Sequence, residues 1–73
     1  MNSQLITVYY AIFKEVAPGQ FDLVETFELQ STALAVKADE EIESMMIQAW
    51  HHANELGYTD FTVSVIKETR CWL

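Results

Sequence analysis

Three residues punctuate this sequence, and they limit how many elements it can form. Pro18 is the only proline, and Gly19 and Gly57 are the only glycines. Ala17-Pro18-Gly19-Gln20 reads as a tight turn, because proline presets φ and glycine supplies a positive φ without a steric penalty. Gly57 falls where a helix ends on a left-handed residue. Before the turn, residues 5–13 (LITVYYAIF) are rich in β-branched and aromatic side chains, as a strand requires. Both alternating sets are apolar: Leu5, Tyr9, Ala11 and Phe13 on one side, Ile6, Val8, Tyr10 and Ile12 on the other. A strand apolar on both faces is expected in the middle of a sheet or under a second layer.

After the turn, residues 21–29 (FDLVETFEL) alternate. Phe21, Leu23, Phe27 and Leu29 point one way, and Asp22, Thr26 and Glu28 the other. That is the pattern of a half-buried strand, and with the turn it completes a β-hairpin. Residues 30–38 are ambiguous between an extension of the second strand, a short extra strand and an early helix start, with an extended or bent continuation the favoured reading. Asp39-Glu40-Glu41 then suits a helix start, with Asp39 able to accept from unpaired backbone N–H groups and the acids favouring the positive end of the helix dipole. Ile42, Met45, Met46, Ala49, Ala53 and Leu56 follow with helical spacing. Residues 59–66 alternate again, with Phe61, Val63 and Val65 inward and Thr62 and Ser64 outward. Residues 67–73 (KETRCWL) read as a tail. The sum is one α+β domain over residues 1–73, with ββαβ order. A single antiparallel sheet of about three strands carries one helix on one face. The short return through Gly57-Tyr58-Thr59-Asp60 makes the last strand antiparallel to the helix. That strand joins the hairpin at an edge or beside the first strand.

Composition narrows the function. Four Lys and Arg against eleven Asp and Glu give a formal charge of −7. That balance argues against direct nucleic-acid binding, which needs a basic footprint. Cys71 is the only cysteine, so an intramolecular disulfide is impossible and a cysteine-based zinc site is not expected. No stretch approaches the ~20 apolar residues of a membrane span. The start, MNSQLITVYY, has neither a positive n-region nor a small-residue cleavage site, so a cytoplasmic protein is expected. A chain of 73 residues is only marginally able to stabilise itself by burial, so a tightly packed core or a homodimer is expected.

Residues that could carry chemistry do not combine. His51 and His52 are adjacent, and adjacent helical residues point ~100° apart, so they cannot grip one ion together. His51 and Glu55 share a face, but two ligands are too few. Cys71 has no histidine nearby in sequence. No phosphate-cradling glycine loop, zinc-protease motif or nucleophile elbow is present. No enzymatic activity, metal or cofactor is expected.

Surfaces remain. Taking the helix core stripe as zero, Trp50 lies about 80° round, Glu43 about 100°, Asn54 about 120° and Ile47 about 140°. Trp50 and Ile47, rimmed by Glu43, His51 and Asn54, have the composition of a binding patch. The bland reading is a wide helix stripe that covers the sheet edge. Asp39, Glu40, Glu41 and Glu43 cluster at the helix start, and Asp22, Glu25 and Glu28 lie along the second strand. They either keep the chain soluble or form a negative patch that docks on a basic surface. Ile6, Val8, Tyr10, Ile12 and Val24 are read as the far face of the sheet, a candidate dimer or partner face unless Trp72 and Leu73 fold back over it.

The segment AVKADEEIESMMIQAWHHANELGYTDFTVSVIKETRC resembles the helix and final strand of the compact phage-encoded inhibitor of bacterial RNA polymerase. That family also joins a β-hairpin, an acidic-starting helix carrying a tryptophan, and a closing strand. Several anti-CRISPR proteins are similar in size, acidity and ββαβ order. The resemblance runs from Phe21 to Cys71 in pattern. The long first strand and apolar C-terminal residues depart from the polymerase inhibitor, and no functional residue is carried over. The class it implies is a stoichiometric inhibitor without an active site, acting on a nucleic-acid-handling host complex such as a CRISPR effector or RNA polymerase. The protein target would present a basic surface. The alternative is a homodimeric accessory or structural protein that pairs through an exposed sheet face.

Overall fold

A computed structural model describes residues 2–73, so the first residue of the domain expected over 1–73 lies outside the described residues. The chain forms β1 (Ser3–Ala17), β2 (Gln20–Leu34), a 3-10 turn (Ala35–Lys37), α1 (Ala38–Glu55) and β3 (Phe61–Trp72). The three strands make one antiparallel sheet in the order β2-β1-β3, and α1 crosses one face. The architecture is α+β with ββαβ order, and β1, apolar on both faces, is the central strand.

The Pro18-Gly19 turn closes the hairpin, with Gly19 at φ 75°. β2 continues past Leu29 to Leu34, and the 3-10 turn delivers the chain to the helix. Lys37 precedes the helix without a side-chain cap, so Asp39 is not the cap the sequence suggests. It sits one residue inside the first turn. Ala38 starts the helix because its N–H already donates to the Ala35 carbonyl. At the far end the Gly57 N–H donates to the Asn54 carbonyl at 3.0 Å, with Gly57 at φ 86°.

The helix rests on the even set of β1. Ile6, Val8, Tyr10 and Ile12 are fully buried beneath Ala38, Met45, Ala49 and Ala53, with Phe27, Leu29, Ala33, Ile42, Met46 and Phe61 packed around them. This corrects the assignment of Ile6, Val8, Tyr10 and Ile12 to a free face. The small residues Ala49 and Ala53 at the seam let helix and sheet approach closely. Leu56, expected in the stripe, lies just past the last turn and is exposed.

Three register shifts interrupt the sheet; one leaves Val16 unpaired beside the turn, and the other two decide which side chains share a face. Ile12 pairs with Glu25 but Phe13 with Leu23, so Val24 is an extra residue between ladder positions and lines neither face regularly. The slip splits the apolar set of β2. Phe27 and Leu29 lie opposite Tyr10 and Val8, on the helix side; Leu23 and Phe21 lie opposite Phe13 and Glu15, on the open side. On β3, Tyr10 pairs with Val65 and Tyr9 with Lys67, leaving Ile66 as the extra residue. β3 then continues through the expected tail to Trp72, opposite Gln4. Trp72 and Leu73 therefore extend the sheet instead of folding over its far face, and both remain exposed.

Candidate functional site

The outer flank of α1 is built by helical geometry. With the core stripe fixed on Met45, Ala49 and Ala53, Trp50 falls on the β3 side, and its ring rests on Phe61 at 5.1 Å between centroids. Trp50 is nonetheless 38% exposed. Ile47, one turn earlier and further from the core, is 61% exposed. Glu43, His51 and Asn54 are exposed beside them. Val65 follows Phe61 on the helix-facing side of β3 and is also exposed. The patch is thus an indole packed at a 36° tilt against a β3 phenyl ring, flanked by an isoleucine and polar side chains.

The helix start is acidic, and two basic residues meet it. The Arg70 guanidinium donates from Nη2 to Asp39 at 2.9 Å and from Nε to Glu68 at 2.8 Å, which raises its pKa above the usual value. The β3 extension carries Arg70 to this position. Lys37 pairs with Glu40 at 3.6 Å across solvent-exposed stems. Glu41 accepts a hydrogen bond from the Ser31 hydroxyl at 2.7 Å, which ties the helix to β2. Glu43 has no such partner among the described residues. Asp39, Glu40, Glu41, Glu43 and Glu68 against Lys37 and Arg70 leave this end of the molecule negative. Of the acids on β2, Asp22 lies opposite Lys14, Glu25 opposite Ile12 and Glu28 opposite Tyr9, so the bulge divides them between the two faces. They form no continuous acidic strip.

The remaining polar candidates are scattered. His51 is exposed, whereas His52 packs its ring on Phe27 at 4.5 Å on the β2 side of the helix. Among the described residues no three His, Cys, Asp or Glu side chains converge as metal ligands. Cys71 is exposed opposite Leu5. No helix of the described chain is long and apolar enough to cross a membrane. Sequence reading missed the open face of the sheet, lined on β1 by Leu5, Thr7, Tyr9, Ala11 and Phe13. Both alternating sets of β1 are apolar, so the sequence carries no signal of which one the helix covers, and nothing in the composition of β2 marks the Val24 slip that adds Phe21 and Leu23 to the open face. No protein-family model, curated protein or solved structure matches the chain.

Proposed function

We propose that this protein is a stoichiometric, non-enzymatic inhibitor that docks on a basic protein surface through the outer flank of α1. The carrying observation is the half-exposed Trp50 on Phe61 with exposed Ile47 beside it, set on the same helix as the acidic start. Aromatic anchors bordered by polar groups supply most of the energy at protein interfaces. Carboxylates at the margin add long-range attraction to a basic partner and speed association more than they hold the complex.

The partner class follows from that chemistry. Surfaces that ordinarily bind phosphates carry the positive charge that would attract a chain of charge −7. The reading therefore favours a nucleic-acid-handling complex, with bacterial RNA polymerase or a CRISPR effector as the class the resemblance implies. Such a target would place a phage-encoded inhibitor in the bacterial cytoplasm. Occlusion of a basic channel needs no catalytic group, only a well-seated acidic body.

The test is affinity capture from bacterial lysate, with wild type and Trp50→Ala as paired baits, followed by mass spectrometry. The reading expects a nucleic-acid-handling protein on the wild-type bait and its loss from Trp50→Ala, with the fold unchanged by circular dichroism. The same proteins on both baits, or none on either, count against it.

A further inference from the structure

The open face of the sheet differs in charge from the rest of the molecule. Of the eleven carboxylates, only Glu15 and Glu28 occupy ladder positions on this face; the others lie on the helix side, on α1 or in the Asp60 loop. Lys67 is there as well. Glu28 and Lys67 lie directly opposite Tyr9, one on each neighbouring strand. Around them the face is apolar or uncharged: Leu5, Ala11, Phe13, Phe21 and Leu23, with threonines between. Tyr9, Thr26, Glu28, Ile66 and Lys67 contribute to a shallow depression of about 420 Å³. A second, of about 270 Å³, lies beside Phe13 and Phe21. Phe21, Leu23 and Ile66 are each half exposed or more.

We propose that this face packs against the same face of a second copy, about a two-fold axis parallel to β1. The occupant follows from charge geometry. An axis along β1 carries β2 of one copy over β3 of the other, so each Glu28 meets Lys67 of the second copy while Tyr9 meets Tyr9 on the axis. An axis across the strands would set Glu28 on Glu28 and Lys67 on Lys67, and like charges in register are disfavoured. Both axes give an isologous two-fold interface, and only the first pairs opposite charges across it. Glu15 lies six residues from Tyr9 at the hairpin end, about 20 Å away, where sheet twist carries two packed sheets apart.

The available area suits a dimer. Three strands about 4.8 Å apart, over the eleven β1 residues paired on both sides, project a face of about 500 Å² per copy, or about 1,000 Å² in total. That reaches the lower bound for a specific interface. The Trp50 flank lies on the opposite side of the sheet, so this inference stands independently of the proposed docking.

The test is sedimentation equilibrium of the full chain from low micromolar to submillimolar concentration, with wild type, Glu28→Lys, Lys67→Glu and the double swap. Circular dichroism verifies the fold of each. Each single swap turns two symmetry-related attractive pairs repulsive, so the dimer dissociation constant is expected to rise roughly tenfold or more. The double swap restores it. A wild type that stays monomeric throughout overturns the proposal and leaves the face to a different partner. A dimer indifferent to the single swaps, or not rescued by the double swap, overturns the two-fold arrangement.

Discussion

Tyr10→Phe is expected to stabilise the protein. Tyr10 is fully buried between sheet and helix, and its ring stacks on Phe27 at 5.3 Å. Its hydroxyl is buried without a hydrogen-bond partner among the described residues. A hydroxyl buried unpaired costs about 1–3 kcal/mol, whereas in the unfolded chain water satisfies it. Phenylalanine keeps the ring and the stack and removes the unpaired group. The expected gain is about 1 kcal/mol, which for a domain of this size raises Tm by roughly 4–8 °C. Burial, reinforced by the Glu68 charge, also raises the Tyr10 pKa above 10.0. A raised native pKa means that the folded state holds its proton while the unfolded state loses it. Wild-type stability therefore falls as pH climbs through about 10, and the contribution of this group to that fall disappears in Tyr10→Phe. Urea titrations of both proteins at neutral pH and above pH 10 measure both effects. A loss of about 1 kcal/mol in the variant at neutral pH would refute the reasoning, because it would mean that the hydroxyl is satisfied in the native state.

Met45→Ala, at a position 1% exposed beneath the helix, should cost about 2–5 kcal/mol in urea unfolding. Ile47→Ala, two residues on but pointing outward, should stay within about 0.5 kcal/mol by the same assay; equal costs would mean that the helix is rotated on the sheet. Gly57→Ala should lower stability by about 1 kcal/mol, read as a shift in Tm. No atom lies within 4 Å of the added Cβ, so the whole cost comes from forcing φ 86° on alanine.

The elements were legible where a single periodicity held. The Pro18-Gly19 turn, the stripe from Ile42 to Ala53 and the Gly57 stop each follow from local chemistry. So does the central place of β1, since a strand apolar on both faces is favoured where neighbours pair with both its edges. Which side of β1 takes the helix was not legible, because both sets are apolar. Burial separates them in the structure: Ile6, Val8, Tyr10 and Ile12 fill the seam, while on the other side Tyr9 stays exposed and only the small Thr7 and Ala11 are buried, by neighbouring side chains. The bulges hid the rest. Val24 breaks the alternation of β2 between Leu23 and Phe27, and Ile66 breaks that of β3 just before a charged run. Lys67, Glu68 and Arg70 look like a solvated tail, yet pairing with β1 holds them in the sheet and Asp39 meets the Arg70 charge. In the candidate site, the helix angles placed Trp50 and Ile47 outside the core stripe, but the Phe61 support and the partners of Asp39, Glu40 and Glu41 depend on contacts between elements.

The most direct test of the docking account is the binding isotherm of the captured target, measured at low and high salt. Wild type is compared with a variant carrying Glu40→Gln, Glu41→Gln and Glu43→Gln. The account expects saturation at one chain per target site, affinity that falls as salt rises, and a variant that binds more weakly at low salt with a flatter salt response. Undiminished affinity in the neutralised variant, with binding indifferent to salt, would contradict it.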